Sequence, residues 1–255
     1  QTITFTSTAP ASAKVAGSTY SPTATGGSSG NAVTFTIDSS ASSICSITGG
    51  VVSFNAVGTC KVNANQAGNS NYGAATQVQQ SFAVGKGDPS LSSFANVNKN
   101  FGDANFTLTA PTVANSLAGS FTYSSGTTAT ATISSSTVTI VAAGTSTITA
   151  TFTPTDTTNY NTATITMTLT DSAVTLAPPT SLSLEAPSGS STSVTVTFTA
   201  NTNAASSKYY VYSALTGGSS SFSGTITTGG TITGLTANST YYISLQSVGS
   251  GNYST

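Results

Sequence analysis

Few residues in this sequence could do chemistry. The chain of 255 residues has no histidine, and its acidic side chains, Asp38, Asp88, Asp103, Asp156, Asp171 and Glu185, stand singly. General acid–base catalysis and nucleophile–base–acid triads need titratable groups within hydrogen-bond reach of one another, and those parts are missing. No catalytic residue is expected, so the chain is read as not an enzyme and as needing no cofactor. Cys45 and Cys60 offer one disulfide. Two sulfurs without histidine supply only half of a tetrahedral zinc site. The turn Pro154-Thr155-Asp156-Thr157-Thr158-Asn159 offers calcium one carboxylate and reads as a plain Asp/Asn turn, so no metal is expected.

Tyrosine is the remaining candidate for recognition. If Tyr209 and Val211 face a core on one strand and Tyr241, Ile243 and Leu245 on another, alternation turns Tyr210, Tyr212 and Tyr242 outward. Such a strip could stack on sugar rings or anchor a partner protein. The bland alternative is that the rings pair across strands or pack on a neighbouring module.

The elements that must position these residues are strands. Apolar residues are 37% of the chain, in β-branched runs that Ser and Thr interrupt, so helical periodicity is absent and no stretch reaches the ~20 apolar residues of a membrane helix. Charged residues are 4% of the chain and the net charge is −1, which leaves nothing to steer toward nucleic acid or anionic lipid. The only methionine is Met167, so Gln1 is not a translation start, and the chain reads as processed or excerpted.

The sequence repeats. Phe35 falls on Phe121 at an offset of 86, which holds through Ile47 on Ile133, Val52 on Val138, Gly58 on Gly144 and Ala64 on Ala150. After a two-residue insertion, Asn71-Tyr72 falls on Asn159-Tyr160. Cys45 and Cys60 fall on Ala131 and Ser146, so both cysteines are missing together from the second unit. A dispensable disulfide predicts that paired loss; two free buried thiols are the alternative. Gly85-Lys86-Gly87-Asp88-Pro89, whose glycines release the backbone, reads as a short linker and Ala177-Pro178-Pro179 as a second, stiffer one. Three units follow, 1–85, 88–171 and 177–255, expected as a rod of tandem β-sandwiches.

The run Ala131-Thr132-Ile133, Val138-Thr139-Ile140 and Ala143 to Ala150 resembles the bacterial immunoglobulin-like repeats of invasin- and intimin-type surface proteins, and residues 47–64 carry a looser version. Residues 178–255 resemble a fibronectin type III module. Leu235, Ala237, Ser239 and Tyr241 stand where that family has its Leu-x-Pro-Gly-Thr-x-Tyr corner, which makes Tyr241 the structural corner tyrosine. The departures are Ala237, Asn238 and Ser239 for Pro, Gly and Thr, and the absence of Trp. The resemblance implies an all-β array of three immunoglobulin-like sandwiches with an extracellular, cell-surface role as a stalk, filament or surface-layer segment, whose partners are other domains or subunits of the same assembly. A glycan- or protein-binding adhesin acting through the tyrosines is the alternative, as is a spacer of a secreted enzyme or phage fibre. Asn252-Tyr253 matches the Asn-Tyr pairs that precede the last strands of the first two units, and nothing follows Thr255. The third unit is therefore expected to lack its last strand, the missing strand coming from further sequence or from a neighbouring subunit.

Overall fold

In the computed structural model, which describes residues 1–186, 192–214 and 220–255, the chain is all-β, with two single-turn 3-10 helices at Ser39–Ala41 and Ala114–Ser116. The first stretch carries β1 (Thr4–Phe5), β2 (Ala13–Lys14), β3 (Ala24–Thr25), β4 (Val33–Ile37), β5 (Cys45–Thr48), β6 (Val51–Phe54), β7 (Gly58–Gln66) and β8 (Val78–Gly85). The second carries β9 (Leu91–Ser92), β10 (Val97–Asn100), β11 (Phe106–Thr107), β12 (Thr112–Val113), β13 (Gly119–Ser125), β14 (Ala131–Ser134), β15 (Thr137–Ile140), β16 (Gly144–Pro154) and β17 (Ala163–Ser172). β18 (Val174–Thr175) leads to β19 (Thr180–Glu185), β20 (Ser193–Thr199), β21 (Ser206–Tyr212), β22 (Phe222–Ile226), β23 (Gly230–Thr233), β24 (Tyr242–Val248) and β25 (Tyr253–Ser254).

Strand pairing groups these elements into three tandem immunoglobulin-like sandwiches. In the first, the sheet β2-β8-β7-β4 faces the hairpin β5-β6, with β1-β3 beside them. Alternation explains its core: Val52 and Phe54 point inward from one layer and Cys60, Val62, Phe82 and Val84 from the other, all buried. Phe82 sits edge-on to both Tyr20 and Phe54, at centroid distances of 5.6 and 5.8 Å. The second sandwich repeats the plan with β10-β17-β16-β13 and β11-β15-β14. In both, a short early strand pairs in parallel with the last long one, Ala13 with Val84 and Val97 with Leu169. The third has β19-β20-β23 and β22-β21-β24 around Val196, Phe198, Val211 and Ile232.

The chain forms two compact units. One contains Gln1–Phe94, Ala110–Thr122 and Ala150–Ile165; the other contains Ala95–Thr109, Tyr123–Thr149 and Thr166–Thr255. Each includes part of the second sandwich together with a terminal one.

Candidate functional site: the Asn-Tyr connectors

Within the compact unit that holds Gln1–Phe94 and Ala150–Ile165, the turn between β6 and β7 uses two of its backbone donors locally, since the N–H groups of Asn55 and Ala56 both reach the Ile44 carbonyl. The next donor, on Val57, is left over. It is taken by the side chain of Asn159, 102 residues on, whose Oδ1 accepts at 2.9 Å. Asn159 is held for this by Asp156, whose carboxylate accepts from the Thr158 N–H, the Asn159 N–H and the Asn159 carboxamide. Those bonds, the one to the Asn159 carboxamide foremost, lower the Asp156 pKa from the ordinary carboxylate value. Tyr160 packs against the first core beside Gly87.

Within the other compact unit the same turn and the same asparagine bond recur, without a counterpart of Asp156. Val141 and Ala142 donate to the Thr130 carbonyl, and the leftover N–H of Ala143 donates to Asn252 Oδ1 at 2.7 Å, 109 residues on. Tyr253 follows and meets Phe101 edge-on at 5.7 Å. Val57 and Ala143 are 86 positions apart, the repeat offset, and each precedes a glycine with positive φ, Gly58 at 154° and Gly144 at 148°. A residue with a side chain is strained there, so glycine keeps the turn that presents the free N–H.

The linkers are tied to the same pairs. Gly87 exchanges backbone bonds with Asn159 and Asn161, Lys86 Nζ donates to the Thr157 carbonyl at 2.6 Å, and Asp88 pairs with Lys14 and accepts from Asn161. The glycines of residues 85–87, which read as backbone release, have a different use at Gly87: a Cβ there would lie 2.4 Å from the Val15 carbonyl oxygen. The segment just before the second linker behaves alike, with Val174 and Leu176 donating to the Asn252 and Ser254 carbonyls as β18 pairs in parallel with β25.

The residues singled out in the sequence are placed as follows. Cys45 and Cys60 are joined by a disulfide, Cα to Cα 5.7 Å, in the first core. Tyr241 lies partly buried in the third core, its hydroxyl accepting from the Thr236 N–H at 3.0 Å. Tyr210, Tyr212 and Tyr242 lie on the outer face; Tyr212 stands opposite Tyr242 in register, Tyr242 is 37% exposed, and the Tyr210 hydroxyl donates to Gln246. Among the described residues no group of three His, Cys, Asp or Glu converges, and no helix is long and apolar enough to cross a membrane. Asn159, Tyr160, Asn252 and Tyr253 do not stand out as a site in the sequence; the signal for them is the dipeptide itself, which occurs three times.

No family model matches the chain and no curated protein is similar to it. Solved structures give fold-level likenesses. Titin domains A168-A170 share 12% identity over 98% of this chain and 94% of that one, at a TM-score of 0.34. The chicken CNTN1 FN1-FN3 domains share 11% over 76% and 72%, at 0.28, and Drosophila N-cadherin EC1-3 13% over 68% of each, at 0.27. None of the three is an invasin- or intimin-type repeat.

Proposed function

We propose that this chain is a non-enzymatic structural array of an extracellular or cell-surface protein, a stalk, filament or surface-layer segment. Its working parts are the two Asn-Tyr connectors. The observation that carries the reading is the repeated bond from Asn159 to Val57 and from Asn252 to Ala143. A side chain that seals a leftover backbone donor of another sandwich, twice in equivalent places, serves to join modules. The disulfide fits an oxidising compartment. Brief protease treatment of intact producing cells should release fragments of this chain; recovery only after lysis would overturn the surface assignment. Asn159→Ala should speed tryptic cleavage after Lys86, the linker lysine.

A second reading has its own observation. Tyr212 and Tyr242 face each other on an outer face, a geometry suited to a sugar ring or an apolar side chain. Glycan-array binding that is lost in Tyr212→Ala and Tyr242→Ala would favour the adhesin over the passive array.

A further inference from the structure

Three features of the third sandwich converge on one side of it. β24 pairs with β21 on one edge, and among the described residues no strand flanks the other. The strands in the equivalent place are flanked twice, β7 by β4 and β8, and β16 by β13 and β17. Burial follows the same division. Cys60, Val62 and Ala64 of β7, and Ile148 and Ala150 of β16, are fully buried, whereas Ile243 and Leu245 of β24 are only partly so. The third feature is β19, the edge of the other sheet, whose Leu182 and Leu184 are 41% and 44% exposed. Ser247, near the end of β24, donates to the carbonyl of Ala177, just before β19, so the two open edges lie on the same side.

In the first two sandwiches the strand paired to this edge sends alternate apolar residues into the core, Phe82 and Val84 from β8 and Met167 and Leu169 from β17. β24 has no charged residue and no proline to guard its edge. We propose that the edge formed by β24 and β19 accepts one β-strand donated by a partner polypeptide. The strand runs antiparallel to β24 as β8 does to β7, is essentially uncharged, spans about seven residues and carries an apolar side chain at every second position. Its outward backbone groups would pair with β24, and its inward side chains would cover Ile243, Leu245, Leu182 and Leu184. In both filled examples the place beside the central strand is taken by one long strand, bordered on its outer edge only by a short strand, Ala13–Lys14 or Val97–Asn100, which favours a single strand over the edge of a second copy.

The test appends the sequence of β17, Ala163–Ser172, after Thr255 through a short Gly-Ser linker, beside a control of the same composition with the alternation scrambled. The expected result is that the β24 amides pointing away from β21 exchange at least about tenfold more slowly and that the third sandwich melts higher, while the control changes neither. Leu182→Ser with Leu184→Ser should leave melting of the unfused chain unchanged and remove most of the gain from the fusion. Unchanged exchange in the fusion overturns the proposal. So does a concentration-dependent dimer of the unfused chain, seen by sedimentation, in which the same amides are already slow, because the edge then serves a second copy.

Discussion

The first and second sandwiches share a strand order and a turn, yet they close the same place in the core differently. In the first, β5 and β7 are joined by Cys45–Cys60. In the second, Ala131 is fully buried and Ser146, 2% exposed, is bonded through Oγ to the Ser125 hydroxyl at 2.8 Å and to the Thr127 N–H at 3.0 Å. A methyl group and a satisfied hydroxyl fill the space of two sulfurs. The fold therefore does not need the staple; the covalent link restricts the unfolded chain of one module, while the hydroxyl pays its own burial cost through hydrogen bonds.

The largest effect that would sharpen this contrast is removal of the disulfide. Cys45→Ala with Cys60→Ser should lower the stability of the first sandwich by about 3 kcal/mol, the chain-entropy value for a loop of about 15 residues, and leave the transition of the third unchanged. Calorimetry with and without reductant checks it, since reductant should reproduce the shift in the wild type and do nothing to the variant. Equal loss in every transition would break the contrast.

A second comparison, between an occupied and an unoccupied connector, carries the next effect. Asn159 and Asn252 are engaged, whereas the corresponding pair in the first sandwich, Asn71-Tyr72, is exposed, with Tyr72 at 45%. Asn252→Ala should cost about 1 kcal/mol, the usual worth of a hydrogen bond, and Asn159→Ala about half as much because Val57 is exposed and water can replace the acceptor, whereas Asn71→Ala should be neutral within the error of chemical denaturation.

These two comparisons differ in how far they could be read from sequence. Alternation of Val33, Phe35 and Ile37 exposes a half-buried strand directly, and the 86-residue offset aligns the cores of two modules, because both signals are local or periodic. The two-residue strands β1 and β3 and the parallel pairing of β2 with β8 leave no such pattern; they depend on loops that bring distant segments together. The connectors lie further still from local signal. A bond from a carboxamide to a backbone N–H more than 100 residues away is invisible to periodicity, and only the recurrence of Asn-Tyr marks it. Gly87 misleads for a related reason, because close backbone approach and backbone freedom both select glycine.

The last long strands, β8 and β17, differ at their ends. β8 finishes with Val84 and Gly85, whereas β17 buries Asp171, 3% exposed and with neither carboxylate oxygen bonded among the described residues. Lys99 stands opposite it in register, but its ammonium lies over the Phe106 ring, 5.2 Å from the centroid. Burial, and then the charge of Asp103, push the Asp171 pKa up. With its folded pKa above its unfolded value, the ionised carboxylate opposes folding. That penalty is full above the folded pKa and fades as pH falls toward the unfolded one. Asp171→Asn should therefore stabilise the protein at pH 7 by about 1 kcal/mol, and the advantage should shrink on acidification. Melting temperatures of both proteins between pH 7 and pH 4 decide it, and an advantage that stays constant would show that ionisation is not the cause.

The smallest effect concerns how the third sandwich treats the turn that the other two leave to a neighbour. Between β6 and β7, and between β15 and β16, one backbone donor is satisfied by an asparagine of the following module. Between β23 and β24 the Thr236 N–H is satisfied from within, by the hydroxyl of Tyr241. Tyr241→Phe keeps the ring in the core and removes only the acceptor. Because Thr236 is solvent-accessible, water replaces much of what is lost, and the cost should fall near the low end for a hydrogen bond, about 0.5 kcal/mol. Tyr241→Ala should cost several times more through lost packing. If Tyr241→Phe were instead as costly as Asn252→Ala, whose bond to Ala143 is partly buried, the hydroxyl would be doing for the third turn all that an adjoining module does for the second. A cost near 0.5 kcal/mol in chemical denaturation would mean that water serves this exposed turn well enough and that sealing by another module matters only where the donor is shielded.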